Sequence, residues 1–191
     1  MPRHDDVSKP ESEKLVAGFG VPAQAGALKW LWVTLCVIVL DLGSKSLASA
    51  LLTYALPVPV LPFFDLTLLH NPGAAFSFLA SAGGWQRWFF ATVAIGVCVV
   101  LLQWLRTTLA SQWYMRLALT FIMGGALGNL YDRIIHGYVV DFISIHYAGW
   151  YFPAFNLADA AITIGAAILI IDMIFISGRQ SRSLTSNEEK P

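Results

Sequence analysis

The sequence predicts an α-helical integral membrane protein with four transmembrane helices and a small extended platform on its outer face. Three observations predict it. Apolar residues make up 57% of the chain and charged residues only 13%, against about 45–50% and about 25% in soluble domains. Four apolar stretches reach or approach the roughly 20 residues that a helix needs to cross hydrocarbon. Nine of the twelve Lys and Arg residues fall on one side of those stretches, and basic loops stay in the cytoplasm. A formal net charge of zero leaves no basic field for phosphates. Together these exclude a disordered protein, a nucleic-acid binder and an ordinary cytosolic enzyme.

The first span runs from about Leu28 to Leu52, the second from about Trp88 to Leu105, the third from about Met115 to Tyr131 and the fourth from about Leu157 to Ile176. Residues 1–27 and 179–191 are polar and read as flexible cytoplasmic tails, leaving 28–178 as one membrane domain. The first span contains Ala48-Ser49-Ala50, which resembles a cleavage site. Asp41 and Lys45 intervene before it, so the span is expected to be retained. The segments at about 53–87 and 132–156 then face outward. Trp85, Trp88, Tyr147, Trp150 and Tyr151 lie near those boundaries, where amphipathic rings prefer to sit.

The outer segments are not helical in character. Pro57, Pro59 and Pro62 oppose a helix. Phe63 to His70 is rich in strand formers, Asn71-Pro72-Gly73 signals a turn, and Val139 to His146 reads as a second short strand. The run Asn71 to Ser77 also carries small residues, including Gly73, that let another backbone approach. It reads equally as a groove lining or a plain loop.

Ionisable side chains inside a span are expensive, so each needs a reason. Asp141 and Asp159 both fall at the outer boundary and could meet there. Two close carboxylates share one proton, an arrangement suited to a general base and a general acid acting on one water. The alternative is two unrelated interfacial carboxylates. Asn129 and Arg133 share a helix face with Asp132 beside them. They read as a polar cluster orienting substrate carbonyls, or as an interfacial cap with an Asp–Arg pair. Asp41 and Lys45, one helical turn apart, read as a self-compensating pair with Lys45 snorkelling outward. Asp172 has Arg179 as its expected structural partner. Gly124 and Gly128 are expected to let helices pack closely. His4, His70, His136 and His146 show no metal spacing. Cys36 and Cys98 lie in apolar runs and offer no disulfide framework.

Taken in order, five blocks resemble the bacterial lipoprotein signal peptidases (signal peptidase II). They are Asp41-Leu-Gly-Ser-Lys45, Asn71-Pro-Gly-Ala-Ala-Phe-Ser77, Gly128-Asn129-Leu-Tyr-Asp132-Arg133, Gly137-Tyr-Val-Val-Asp141-Phe142 and Phe155-Asn156-Leu-Ala-Asp159. The resemblance spans about residues 28–178. It implies a small extracytoplasmic β-cradle beside four transmembrane helices. It implies an intramembrane aspartic endopeptidase of the inner membrane, acting on diacylglyceryl-modified prolipoproteins and cleaving before the lipidated cysteine. By motif position, Asp141 and Asp159 match the catalytic pair. Asn71, Gly73, Asn129, Arg133 and Asn156 match positions that hold substrate or dyad, and Asp41, Lys45 and Asp132 match structural polar positions. No metal or organic cofactor is expected, the inhibitor globomycin is expected to occupy the dyad, and a monomer suffices. The competing classes are a small proton-coupled transporter and a non-catalytic scaffold that binds lipoproteins.

Overall fold

The computed structural model of the chain describes residues 24–73 and 84–177. Four long helices organise them. Helix α1 is Leu31–Leu51, preceded by a 3-10 turn over Ala27–Trp30; α2 is Trp85–Thr107; α3 is Trp113–Ile135; α4 is Leu157–Ile171, continued by a π-helical turn over Asp172–Ser177. Ala27, at the end of the stretch expected to be tail, opens the 3-10 turn and is buried. Among the described residues, three segments are long and apolar enough to cross a membrane: Ala27–Leu51, Trp85–Thr107 and Leu157–Ile174. Helix α3 is as long as α2 at 23 residues but carries Arg116, Asp132 and Arg133.

Helix α3 is the middle of the bundle and packs against each of the other three helices. Its glycines explain how. A Cβ at Gly124 would lie 2.6 Å from that of Val37 on α1, and one at Gly128 would collide with the Asp41 carboxylate. The expected close packing at this pair is therefore present, and both glycines face the same neighbour. Gly125 does the same for α4, where its Cβ would meet the carbonyl of Ala158. From the other side, a Cβ at Gly165 of α4 would lie 2.7 Å from the Ala118 carbonyl. Where α2 turns into α3, Leu101, Leu105, Met115, Leu119 and Met123 form the apolar core. Arg116 is buried there and donates to the Thr108 carbonyl at 2.7 Å. The outward faces remain apolar: Leu40 and Val100 are 63% and 64% exposed, which lipid solvates and water does not.

Beside the bundle lies a four-stranded antiparallel sheet in the order β1-β2-β3-β4. Its strands are Val58–Leu61, Phe64–Asn71, Val139–Tyr147 and Trp150–Tyr151. Pro59 occupies the edge strand, where a missing N–H breaks no central ladder. The two strands expected from the sequence are the central pair. Their register sets Leu69 opposite Asp141, His70 opposite Val140 and Asn71 opposite Val139. Gly73 follows with φ +115°, a conformation that favours glycine. A Cβ there would also lie 2.9 Å from the Phe90 ring. The rest of the Asn71–Ser77 stretch, Arg179, His4 and most of both tails lie outside the described residues.

Candidate active site

The site forms where the start of strand β3 meets the start of α4. Asn156 caps α4. Its side-chain oxygen accepts from the Asp159 backbone N–H at 3.0 Å, and the Asp159 carboxylate accepts from the Asn156 N–H at 3.3 Å. This reciprocal cap satisfies two orphan N–H groups of the first turn. The same Asn156 side chain, fully buried, donates to Asp141 Oδ1 at 2.7 Å. One amide thus links the two acidic positions singled out in the sequence. Asp141 is only 2% exposed.

Two further amides complete the arrangement. Asn71 Nδ2 donates to Asp141 Oδ2 at 2.9 Å, while Asn71 Oδ1 accepts from the Gly73 N–H at 2.9 Å. Asn129 Nδ2 donates to Asp159 Oδ1 at 2.8 Å. Arg133 donates to the Asn129 carbonyl at 3.2 Å and lies over the Phe90 ring at 5.1 Å. Its charge faces Asp159, Asp141 and Asp132. Asn71, Gly73, Asn129, Arg133 and Asn156 are therefore gathered around Asp141 and Asp159. Burial pushes the Asp141 carboxyl up to about 6. The Asn71 and Asn156 amides and the Lys45 charge oppose that rise, and the Asp159 charge adds to it.

The expected Asp41–Lys45 pair is present, and the structure corrects two other expectations. Lys45 does not snorkel: it is 3% exposed. Its ammonium contacts Asp41 at 2.8 Å, Asp132 at 3.0 Å and Asn129 Oδ1 at 2.9 Å. Asp132, read beside Arg133 as an Asp–Arg pair, pairs with Lys45 instead, because residue 132 turns toward α1 where Gly128 admits it. The link between Asp132 and Lys45 was missed, since it joins residues on different helices. Only the unexplained cost of a lysine inside a span signalled it. Asp172 is buried at the other end of α4, near the Tyr114 hydroxyl of α3.

Among the described residues no group of three His, Cys, Asp or Glu side chains could hold a metal ion, and Cys36 and Cys98 are both free. An apolar cleft of about 460 Å³, lined by Phe152, Phe155, Ala160, Thr163 and Ile164, opens directly beside Asp159.

Fold and site together define a helical membrane protein in which amides collect a buried acid and a half-buried one at the junction of bundle and sheet. The chain belongs to the signal peptidase II family: the family model described as signal peptidase (SPase) II matches residues 33–175. It is thereby a membrane protease of bacterial type. A lipoprotein signal peptidase of Alteromonas mediterranea is 48% identical over 163 residues, covering 85% of this chain and 89% of that protein. One from Teredinibacter turnerae is 54% identical over 149 residues, covering 78% and 89%. A solved structure described as a bacterial membrane enzyme, at 1.9 Å, superposes with a TM-score of 0.68 and 28% identity. That match covers 78% of this chain and 94% of the other.

Proposed function

We propose that the chain is an intramembrane aspartic endopeptidase that removes signal peptides from diacylglyceryl-modified prolipoproteins, cutting before the lipidated cysteine. The observation that carries this is the Asn156 amide, which ties Asp141 Oδ1 to the cap of the helix that starts with Asp159. The relatives' names supply the substrate class. In this reading Asp141 and Asp159 share one proton. The ionised member takes a proton from a water, which attacks the scissile carbonyl. The protonated member hydrogen-bonds the developing oxyanion and then protonates the leaving amine. Asn71, Asn129 and Asn156 hold the two carboxylates, and Arg133 faces both. The cleft beside Asp159 receives apolar parts of the substrate, which arrives by lateral diffusion in the bilayer.

The same reading makes α3 a fourth transmembrane helix. Its 23 residues span about 34 Å at 1.5 Å per residue. Its charged residues fall in its first and last turns or face other helices. Both termini are then cytoplasmic, and the sheet is an extracytoplasmic cradle at the inner membrane's outer face. Asp41, Asp132, Asp141 and Asp159 gather at one end of the bundle. A proton relay needs acids at several depths, so this clustering favours hydrolysis over transport.

The test is cleavage of a diacylglyceryl-modified prolipoprotein by the purified chain in detergent, beside Asp141→Asn and Asp159→Asn. Wild-type cleavage before the lipidated cysteine, lost in both variants, is expected. Near-normal turnover by either folded variant overturns the dyad.

A further inference from the structure

Beneath the paired acids lies a second charge cluster that the proposed reaction does not consume. The Lys45 ammonium stands against three oxygens: it donates to Asn129 Oδ1 at 2.9 Å and forms ion pairs with Asp41 Oδ2 at 2.8 Å and Asp132 Oδ2 at 3.0 Å. Each of the two carboxylates also takes one backbone N–H. Asp41 Oδ1 accepts from Ala158 at 3.0 Å, and Asp132 Oδ2 accepts from Val140 at 3.1 Å. Ala158 immediately precedes Asp159, and Val140 immediately precedes Asp141. We infer that Asp41, Lys45 and Asp132 form a clamp that sets the separation of Asp141 and Asp159, with Lys45 as its positioning residue. The inference rests on the dyad reading above and deepens it.

Three features carry it. First, the clamp grips the backbone at equivalent points on two unlike elements, a strand and a helix start, each one peptide from a carboxylate. Second, all three charged groups are at most 3% exposed. Burying ions costs several kcal/mol each, and apolar residues of the same volume often hold a fold as well or better. Stability alone therefore gives a weak reason for a charged trio; directional grip on two N–H groups gives a strong one. Third, an ammonium only donates, so Asn129 must turn its oxygen to Lys45. Its N–H then points at Asp159 Oδ1, 2.8 Å away. Lys45 thus decides which face of the Asn129 amide the acid meets. Asn156 Nδ2 approaches the same Asn129 oxygen at 3.3 Å, tying the clamp to the amide that links the dyad. The charged groups facing this region are Lys45 and Arg133, with Asp41, Asp132, Asp141 and Asp159. His136 stands 3.6 Å from the other oxygen of Asp132.

The experiment compares full-length variants for folding by thermal unfolding in detergent and for cleavage of the lipidated substrate across pH. The double variant Asp41→Asn/Lys45→Met keeps an acceptor for the Ala158 N–H and leaves the net charge of the cluster unchanged. It removes the ammonium. The clamp requires kcat to fall about 100-fold, the size expected for a misplacement near 1 Å, with little change in KM. The pH profile must also move upward, because Asp141 loses a nearby cation. A purely structural role lowers the amount of folded protein without moving the profile. A second pair stands if the double variant does not fold. Asp132→Asn retains an oxygen for both Lys45 and the Val140 N–H, whereas Asp132→Leu retains none. The asparagine variant should keep kcat within about tenfold of wild type and the leucine variant should lose about 100-fold. Wild-type kcat and profile in the double variant, or equal kcat in the two position-132 variants, overturns the clamp. Failure of the dyad itself shows separately, as activity in Asp159→Asn.

Discussion

Asn156 and Asp159 are bound to each other twice, side chain to backbone in both directions, at 3.0 and 3.3 Å. A proposed catalytic carboxylate is thus also half of a helix cap. Its position depends on whether the first turn of α4 forms correctly, and that turn depends on Asn156. Truncation of Asn156 therefore acts on stability and chemistry together.

Asn156→Ala removes the cap acceptor and the donor to Asp141. Loss of an N-cap costs about 1 kcal/mol, and the unsatisfied buried groups left behind cost about 1–3 kcal/mol more. Thermal unfolding should show a lowered Tm, and kcat should fall about 100-fold because the dyad loses its bridge. Cleavage should remain measurable, unlike in the aspartate variants. A loss as complete as theirs would place Asn156 in contact with the reacting atoms.

Asn71→Ala tests the electrostatics of Asp141. Burial holds this carboxyl up at about 6, and the Asn71 amide favours its ionised form. Removing that donor must raise the Asp141 pKa further. A hydrogen bond of about 1 kcal/mol corresponds to about 0.7 of a pH unit. The limb of the kcat/KM–pH profile carried by Asp141 should move to higher pH by about that amount. A shift to lower pH would contradict the geometry.

The cleft beside Asp159 is tested by filling it. Ala160→Trp should raise KM for the lipidated substrate on the order of tenfold, the size of about 1.4 kcal/mol of lost apolar binding. Thermal stability should stay near wild type, since the added ring enters open space. An unchanged KM would show that substrate does not use this cleft.

Gly125→Val tests the contact between α3 and α4. Overpacking at such a site costs about 1–3 kcal/mol, and the obstacle here is the Ala158 carbonyl rather than a movable side chain. The variant should unfold at lower temperature and lose activity, because the displaced residue adjoins Asp159. Gly96→Ala on α2 is the control: a Cβ there meets nothing within 4 Å, so stability should hold or rise slightly.

Much of this fold was legible from the sequence for local reasons. Predominantly apolar runs marked α1, α2 and α4, and strand formers marked β2, which follows three prolines, and β3. Helix α3 was legible as a helix, but it carries three charged residues, Arg116, Asp132 and Arg133, where α1 and α2 carry two each. Asp141 and Asp159 were legible as two motifs at one boundary that could come together; the Asn156 amide that links them was not, because it depends on how β3 packs against the start of α4. Lys45 was misjudged for the same reason. Along α1 it has only Asp41 within one turn, which favours snorkelling. Its other carboxylate, Asp132, comes from α3, and the absence of side chains at Gly124 and Gly128 lets the two helices approach closely enough.

The two acids of the site reach it from opposite sides of chain synthesis. Asp141 belongs to a strand made before α4, and Asp159 belongs to the first turn of α4 itself. Lys45, much earlier in the chain, waits in α1. Asp159 is the last of these residues to be made, so on the dyad reading the site stays incomplete until α4 is docked against α3. On that reading, the packing of α4 into the bundle is the step that brings the two carboxylates under one amide.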